Sequence, residues 1–198
     1  FGVYRFKEDN DLVSGVYENK GTPAEVTDLV FTFTDVPSES KAVFGQASYQ
    51  LTDQLKLNAG ARYTEDSISR EGSLQLVAFS PAPFPLTIPL PGSAKSTKTT
   101  WMAGLDWSVT DRNLLYAKAS TGYKAGGFTG AGEYQPESLI SYELGSKNRF
   151  HDDKVQWNVA AYWMKYTDQQ LNQFSDPLTG AQTVNADARI YGMETNLS

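Results

Sequence analysis

The sequence predicts an all-β chain, an antiparallel sheet of about eight strands whose favoured architecture is a transmembrane β-barrel. Three observations predict it. Side chains alternate with a period of two over long stretches, short polar turns alternate with long irregular connections, and aromatic residues gather near the strand ends. The 198 residues include 10 Phe, 11 Tyr and 4 Trp, which excludes a disordered chain or a coiled coil. The mean hydropathy is -0.43 and no apolar run approaches the roughly 18 residues of a membrane helix, so a crossing would have to be made by strands.

The elements follow in chain order. Residues 1–8 read as a first strand. Asp9 to Ser38 reads as a long connection with an internal β-hairpin around Val30 to Phe33. Residues 39–52 and 54–69 form two strands joined by the polar turn Thr52-Asp53-Gln54. In the second, Leu55, Leu57, Ala59, Ala61 and Tyr63 share one face and Lys56, Asn58, Gly60, Arg62 and Thr64 the other, a pattern no helix supplies. Arg70 to Ala94 reads as an irregular connection, because Pro81, Pro83, Pro85, Pro89 and Pro91 would break a strand or helix interior. The strand at 96–109 alternates Trp101, Ala103, Leu105, Trp107 and Val109 against Thr100, Met102, Gly104, Asp106 and Ser108. After the turn at Thr110 to Asn113 come strands at 113–125 and 137–150, separated by the glycine-rich stretch Ala125 to Gln135. The turn His151 to Lys154 leads into a strand at 154–169, with Val155, Trp157, Val159, Ala161 and Trp163 on one face. A last long connection, Gln170 to Gln182, precedes a strand at 182–198.

Alternation of short turns and long connections places every long connection at one end of the sheet. Strands of 12 to 16 residues exceed the about five or six of ordinary globular strands and suit a bilayer crossing. A lipid-facing set (Leu55, Leu57, Trp101, Leu105, Trp107, Val155, Trp157, Trp163) then opposes a polar lumen set: Lys56, Asn58, Arg62, Asp106, Lys118, Glu143, Lys147 and Glu194. A soluble β-sandwich or lipocalin-like barrel stays open at this point, since alternation alone does not say which face is wet.

Charge and residue content narrow the function. With 17 Lys+Arg against 23 Asp+Glu the net charge is -6, and no basic cluster suits nucleic acid. The absence of Cys excludes disulfides and thiolate chemistry. Ser38-Glu39-Ser40-Lys41 has the S-x-x-K spacing of serine β-lactamases without their helix or companion motifs, and reads as a polar strand entry. Gly127, Gly130 and Gly132 are followed by no helix, so they form a loop rather than a phosphate cradle. His151 is the single His and belongs to a turn. Asp9-Asn10-Asp11 lacks the rest of a calcium loop, and Glu65 and Asp66, adjacent on a strand, point to opposite faces. No catalytic, metal or cofactor site is expected. Loop aromatics Phe79, Phe84, Phe128, Tyr134 and Phe174 are the candidates for ligand contact, with Arg70 as a positive charge for an anionic complex.

Four segments carry a family resemblance: Tyr49 to Asp66 (YQLTDQLKLNAGARYTED), Leu114 to Phe128 (LLYAKASTGYKAGGF), Pro136 to Lys147 (PESLISYELGSK) and Asn185 to Glu194 (NADARIYGME). In type, order and spacing the set resembles the TonB-dependent outer-membrane receptors. The resemblance implies a 22-stranded barrel of which this chain holds about eight strands, in the outer membrane of a Gram-negative bacterium. It implies a transporter and not an enzyme, with outer-membrane lipid around it. The cargo implied is a scarce large nutrient, above all a ferric siderophore, and the energy source the TonB–ExbB–ExbD complex acting through an N-terminal plug. That plug and the C-terminal closing strand are expected to be missing from a chain that opens at Phe1-Gly2-Val3-Tyr4 and stops at Asn196-Leu197-Ser198. The alternatives are a small closed eight-stranded barrel (adhesin or passive porin-like), which would pair residues 1–8 with 182–198, and a soluble ligand-binding β-sandwich.

Overall fold

A computed structural model describes residues 1–18, 21, 26–34, 36–77, 86–129, 132–176 and 180–198; for 16–18, 26–29, 174–176 and 180–181 only the backbone is described. In chain order the strands are β1 (Gly2–Glu8), β2 (Leu12–Glu18), β3 (Val26–Thr34), β4 (Ser38–Gln50), β5 (Leu55–Leu76), β6 (Leu86–Pro89) and β7 (Gly92–Thr110). There follow β8 (Asn113–Lys124), β9 (Gly127–Thr129), β10 (Gly132–Tyr134), β11 (Glu137–Phe150), β12 (Val155–Asp176) and β13 (Gly180–Leu197). The eight long-range strands run β1-β4-β5-β7-β8-β11-β12-β13, every pair antiparallel.

The sheet is open. Among the described residues β1 pairs only with β4 and β13 only with β12, so the closed eight-stranded barrel is not formed. Nor is a sandwich: among the described residues a single large sheet forms, and the only buried apolar side chains are Ala42 and Leu74. Trp101, Trp107 and Trp157 stay 42–45% exposed, so this apolar face finds no second layer among the described residues.

Turn chemistry fixes the register at one end. The Thr52 hydroxyl caps the N–H groups of Gln54 and Leu55, and the Thr110 hydroxyl accepts from the Arg112 N–H. His151, Asp152 and Asp153 take left-handed φ of 50°, 54° and 67° in the third short turn, conformations that Asp tolerates better than β-branched residues do. Arg112 bridges to Asp152 at 3.1 Å, tying neighbouring turns together.

At the other end the strands run further than the sequence suggests. β5 and β12 reach 22 residues each, so the described residues of Arg70–Ala94 and Gln170–Gln182 are largely strand and not irregular. The reason is pairing. Glu71 to Leu76 has β3 on one edge (Thr34↔Glu71 to Leu29↔Leu76) and β6 on the other. Pro89 is tolerated because it ends the short strand β6, where a missing N–H costs least. The expected hairpin within Asp9–Ser38 is β2–β3, with Leu12↔Phe33 and Val13↔Thr32 in register. Pro81, Pro83 and Pro85 lie outside the described residues.

The registers keep the two predicted faces apart. Leu57, Leu105, Ala117, Leu144 and Ala161 form one row across five strands on the apolar side. Opposite them on the polar side, Lys56 meets Asp106 at 3.3 Å and Lys118 meets Glu143 at 3.4 Å. Aromatic rings fold over facing glycines on that side and lock the ladder. Tyr116 covers Gly145, where an added Cβ would collide with its ring, and Tyr162 covers Gly192 in the same way. The Tyr116 hydroxyl then donates to Glu143 at 2.7 Å.

Two outcomes check this arrangement. Gly145→Val should displace Tyr116 and destabilise the folded protein by about 1–3 kcal/mol, read as a lower denaturant midpoint in vesicles. Leu105→Arg should cost about 2–4 kcal/mol in the same assay, whereas Asn58→Arg on the polar face should cost far less.

Candidate functional site

The long-connection end builds its site from the upper halves of β5, β7, β8, β11, β12 and β13. From Ser108↔Leu114 β7 and β8 pair regularly up to Met102↔Ser120 and then part. At the fork the Thr121 hydroxyl accepts from the Trp101 N–H at 2.8 Å and donates to the Trp101 carbonyl at 3.3 Å. Beyond it the tip of the β8–β11 hairpin leans across the polar face of its neighbours. The Gly126 N–H donates to Ser96 Oγ at 3.2 Å and Lys98 Nζ to Ser138 Oγ at 3.3 Å. The small hairpin β9–β10 at this tip touches β7 on one side and β13 on the other, so it spans the inner side of the intervening strands.

Two latches hold the strap. On the β5–β7 side, the Arg70 guanidinium carbon lies 4.4 Å from the Phe33 ring centroid and 4.8 Å from that of Phe128. Arg70 faces Gly92 in register, and the Phe128 ring fills the space that a Cβ on Gly92 would need. Arg70 Nε donates to the Leu90 carbonyl at 3.1 Å, and no described carboxylate pairs with it. Burial lowers its pKa from the ordinary value, yet a guanidinium remains charged. This latch therefore holds a cation against two aromatic rings, with its charge uncompensated by any described acid.

On the β12–β13 side the latch is a net of amides. Gln170 Nε2 donates to the carbonyls of Ala125 (2.8 Å) and Gln135 (3.2 Å), and the Gln170 N–H donates to Glu137 at 2.9 Å. Asn185 Nδ2 donates to the carbonyls of Gln135 and Asp168 while its Oδ1 accepts from the Gln135 N–H. Asp168 needs that support, for it sits at φ 55° where the β12–β13 register shifts.

Of the candidates read from sequence, Arg70 and Phe128 meet directly. Tyr134 lies on the same small hairpin, its ring against Gly127. Phe174 belongs to the upper part of β12, opposite Ala181; its side chain, and all of Phe79 and Phe84, lie outside the described residues. Phe33, Gln170 and Asn185 escape the sequence reading. Phe33 alternates like a strand residue and signals nothing more, whereas Asn185 stands out only as a polar residue before the alternation of β13. Ser38 to Lys41 is plain strand, with Glu39 paired to Arg5 and Lys41 at 2.9 Å each. No group of three or more potential metal ligands occurs among the described residues.

A one-layer antiparallel sheet with short turns at one end, long strapped connections at the other, and opposite apolar and polar faces defines the wall of an outer-membrane β-barrel. A family model for the TonB dependent receptor-like β-barrel matches residues 1–198, and the chain belongs to that family. Its members are outer-membrane β-barrel proteins of Gram-negative bacteria, transporters and not enzymes. The chain is 25% identical over 194 residues to the pesticin receptor of Yersinia enterocolitica, a match covering 93% of this chain and 26% of that protein. The pesticin receptor of Yersinia pestis is 23% identical, over 94% of this chain and 26% of the relative. The chain thus spans about a quarter of the length of the curated relatives it matches. The fold is that of the ferric yersiniabactin uptake receptor FyuA from Yersinia pestis, with a TM-score of 0.77 at 20% identity, over 98% of this chain and 28% of that one. It is also that of the copper transporter OprC, with a TM-score of 0.70 at 16% identity, over 98% of this chain and 32% of the other.

The strap makes a pH prediction. Burial pushes the Tyr123 hydroxyl up to about 12; the Ser96 hydroxyl opposes the shift and the Asp66 carboxylate adds to it. Unfolded chains ionise tyrosine near pH 10, so stability held by neutral Tyr123 is complete below about pH 10 and lost as pH rises toward 12. Tyr123→Phe should remove that part of the alkaline loss, measured as the unfolding midpoint of wild type and variant across the window.

Proposed function

We propose that the full-length protein is an active-transport receptor for a scarce large nutrient, a ferric siderophore, energised by the TonB complex through a plug domain. The carrying observation is Arg70: a guanidinium without a described acidic partner, flanked by Phe33 and Phe128 at the long-connection end of the sheet. An anionic metal chelate with flat aromatic or conjugated donors suits such a site, through charge and stacking together. Two proteins that share the fold, a ferric yersiniabactin uptake receptor and a ferric-catecholate import receptor, agree with that chemistry. Phe128 and Tyr134 would contact the ligand from the strap, and Phe79, Phe84 and Phe174 from the neighbouring connections. The lumen wall of Lys56, Asp106, Lys118 and Glu143 would face the plug and the passing cargo.

Two measurements test the reading. A strain lacking the protein should lose growth on, and uptake of radioactive iron from, at least one of a panel of ferric siderophores; unchanged uptake across the panel overturns the assignment. With the responsive chelate in hand, Arg70→Ala should weaken binding about tenfold, about 1.4 kcal/mol, without changing the amount of folded protein in the outer membrane.

A further inference from the structure

The apolar face carries a groove of about 670 Å³. Its floor is Ala117 and Ala119 on β8, with Ala103 beside them on β7. The register makes the floor low. Ala117 stands between Leu105 and Leu144, and Ala119 between Ala103 and Tyr142. One wall is thus Leu105, with Leu57 of β5 behind it. The other is Leu144 and Tyr142, with Trp163 packed behind Tyr142 at 5.9 Å between ring centroids.

The dimensions select the occupant. The walls stand on β7 and β11, two strand spacings or about 9.6 Å apart, and their own side-chain thickness leaves width for one polymethylene chain. A second sheet would need about 10 Å between layers over a broad smooth area, and an interface of about 800 Å² per partner. Tyr142 and Leu144, 49% and 64% exposed, stand up in the way. Because the family resides in the outer membrane, hydrocarbon is the medium on this side.

A second observation lies one step above the groove. Ala161 at the groove's edge and Trp163 belong to β12, and the next outward position on that strand is Lys165. Lys165 pairs directly with Arg189 of β13, one step beyond the Trp163↔Tyr191 pair, on the same outward phase. Like charges directly opposite on neighbouring strands repel unless an anion lies between them. No described carboxylate is within ion-pair distance of either. Two cations above an aromatic row and a hydrocarbon groove match the order of phosphate, interface and acyl chain in a membrane lipid.

We propose that this face binds one phosphate-bearing anionic lipid of the outer membrane, its acyl chain in the alanine-floored groove and its phosphate between Lys165 and Arg189. The site is on the outside of the wall and independent of the cargo site at Arg70.

The test uses the full-length protein in phosphatidylcholine vesicles carrying a trace of chain-spin-labelled phosphatidylglycerol or phosphatidylcholine. The wild type should hold the anionic label in the motionally restricted fraction about fivefold more strongly than the zwitterionic one. Lys165→Gln with Arg189→Gln should abolish that preference. Ala117→Leu with Ala119→Leu, which fills the groove with apolar atoms, should shrink the restricted fraction for both labels; Ala103→Leu serves if the pair fails to fold. Equal affinity for the two labels in the wild type, or a preference that survives the charge variants, overturns the proposal. So does thiol cross-linking of two copies through Ala117→Cys, which would make the groove a protein contact.

Discussion

In hydrocarbon no water is present to satisfy a peptide N–H or C=O, and each unpaired group costs several kcal/mol. Everything else in this structure depends on the antiparallel ladder that meets this constraint. The register runs without a break through thirteen pairs between β4 and β5, sixteen between β5 and β7 and thirteen between β11 and β12. Such a ladder has period two, so it can present lipid and water with opposite faces without burying a core. That explains a protein in which large apolar side chains stay exposed and charged pairs line the other side.

The ladder also explains where function is placed. Within the bilayer the wall must be regular, and irregularity is found where strands leave it: the fork at Trp101 and Thr121, the register shift at Asp168, the small hairpin β9–β10. There backbone groups left by the ladder are taken up by side chains, Gln170 and Asn185 above all, which fix a strap across the inner side. Arg70 belongs to the same logic. It continues the inward phase of β5 beyond Arg62, into a region where stacking rings and not carboxylates surround it.

Much of this was legible in the sequence, because period two is a local property. Leu55 to Tyr63 and Thr99 to Val109 announce strands and their faces unaided, and Thr52, Thr110 and Asp152 announce turns. The eight-strand count and the family follow from such segments. What was hidden depends on pairing. Glu71 to Leu76 looks like loop until β3 and β6 are seen on its two edges, and Gln170 to Asp176 until β13 is beside it. The meeting of Arg70 with Phe33 and Phe128 joins residues far apart in the chain, through strand order and the lean of one hairpin tip. No local pattern encodes it. The prolines at Pro89 and Pro91 argued against strand at their own positions, yet one edge strand absorbs the first of them.

The central claim is that alternate residues of each strand face lipid and a wet lumen. The chain has no Cys, so single cysteines can be placed at each position from Thr99 to Val109 and spin-labelled in the membrane-embedded protein. Accessibility to oxygen, which partitions into lipid, should peak at residues 101, 103, 105, 107 and 109, and accessibility to a water-soluble paramagnetic nickel chelate should peak at the residues between them. Two curves in phase, or a uniform profile through the strand, would contradict the account.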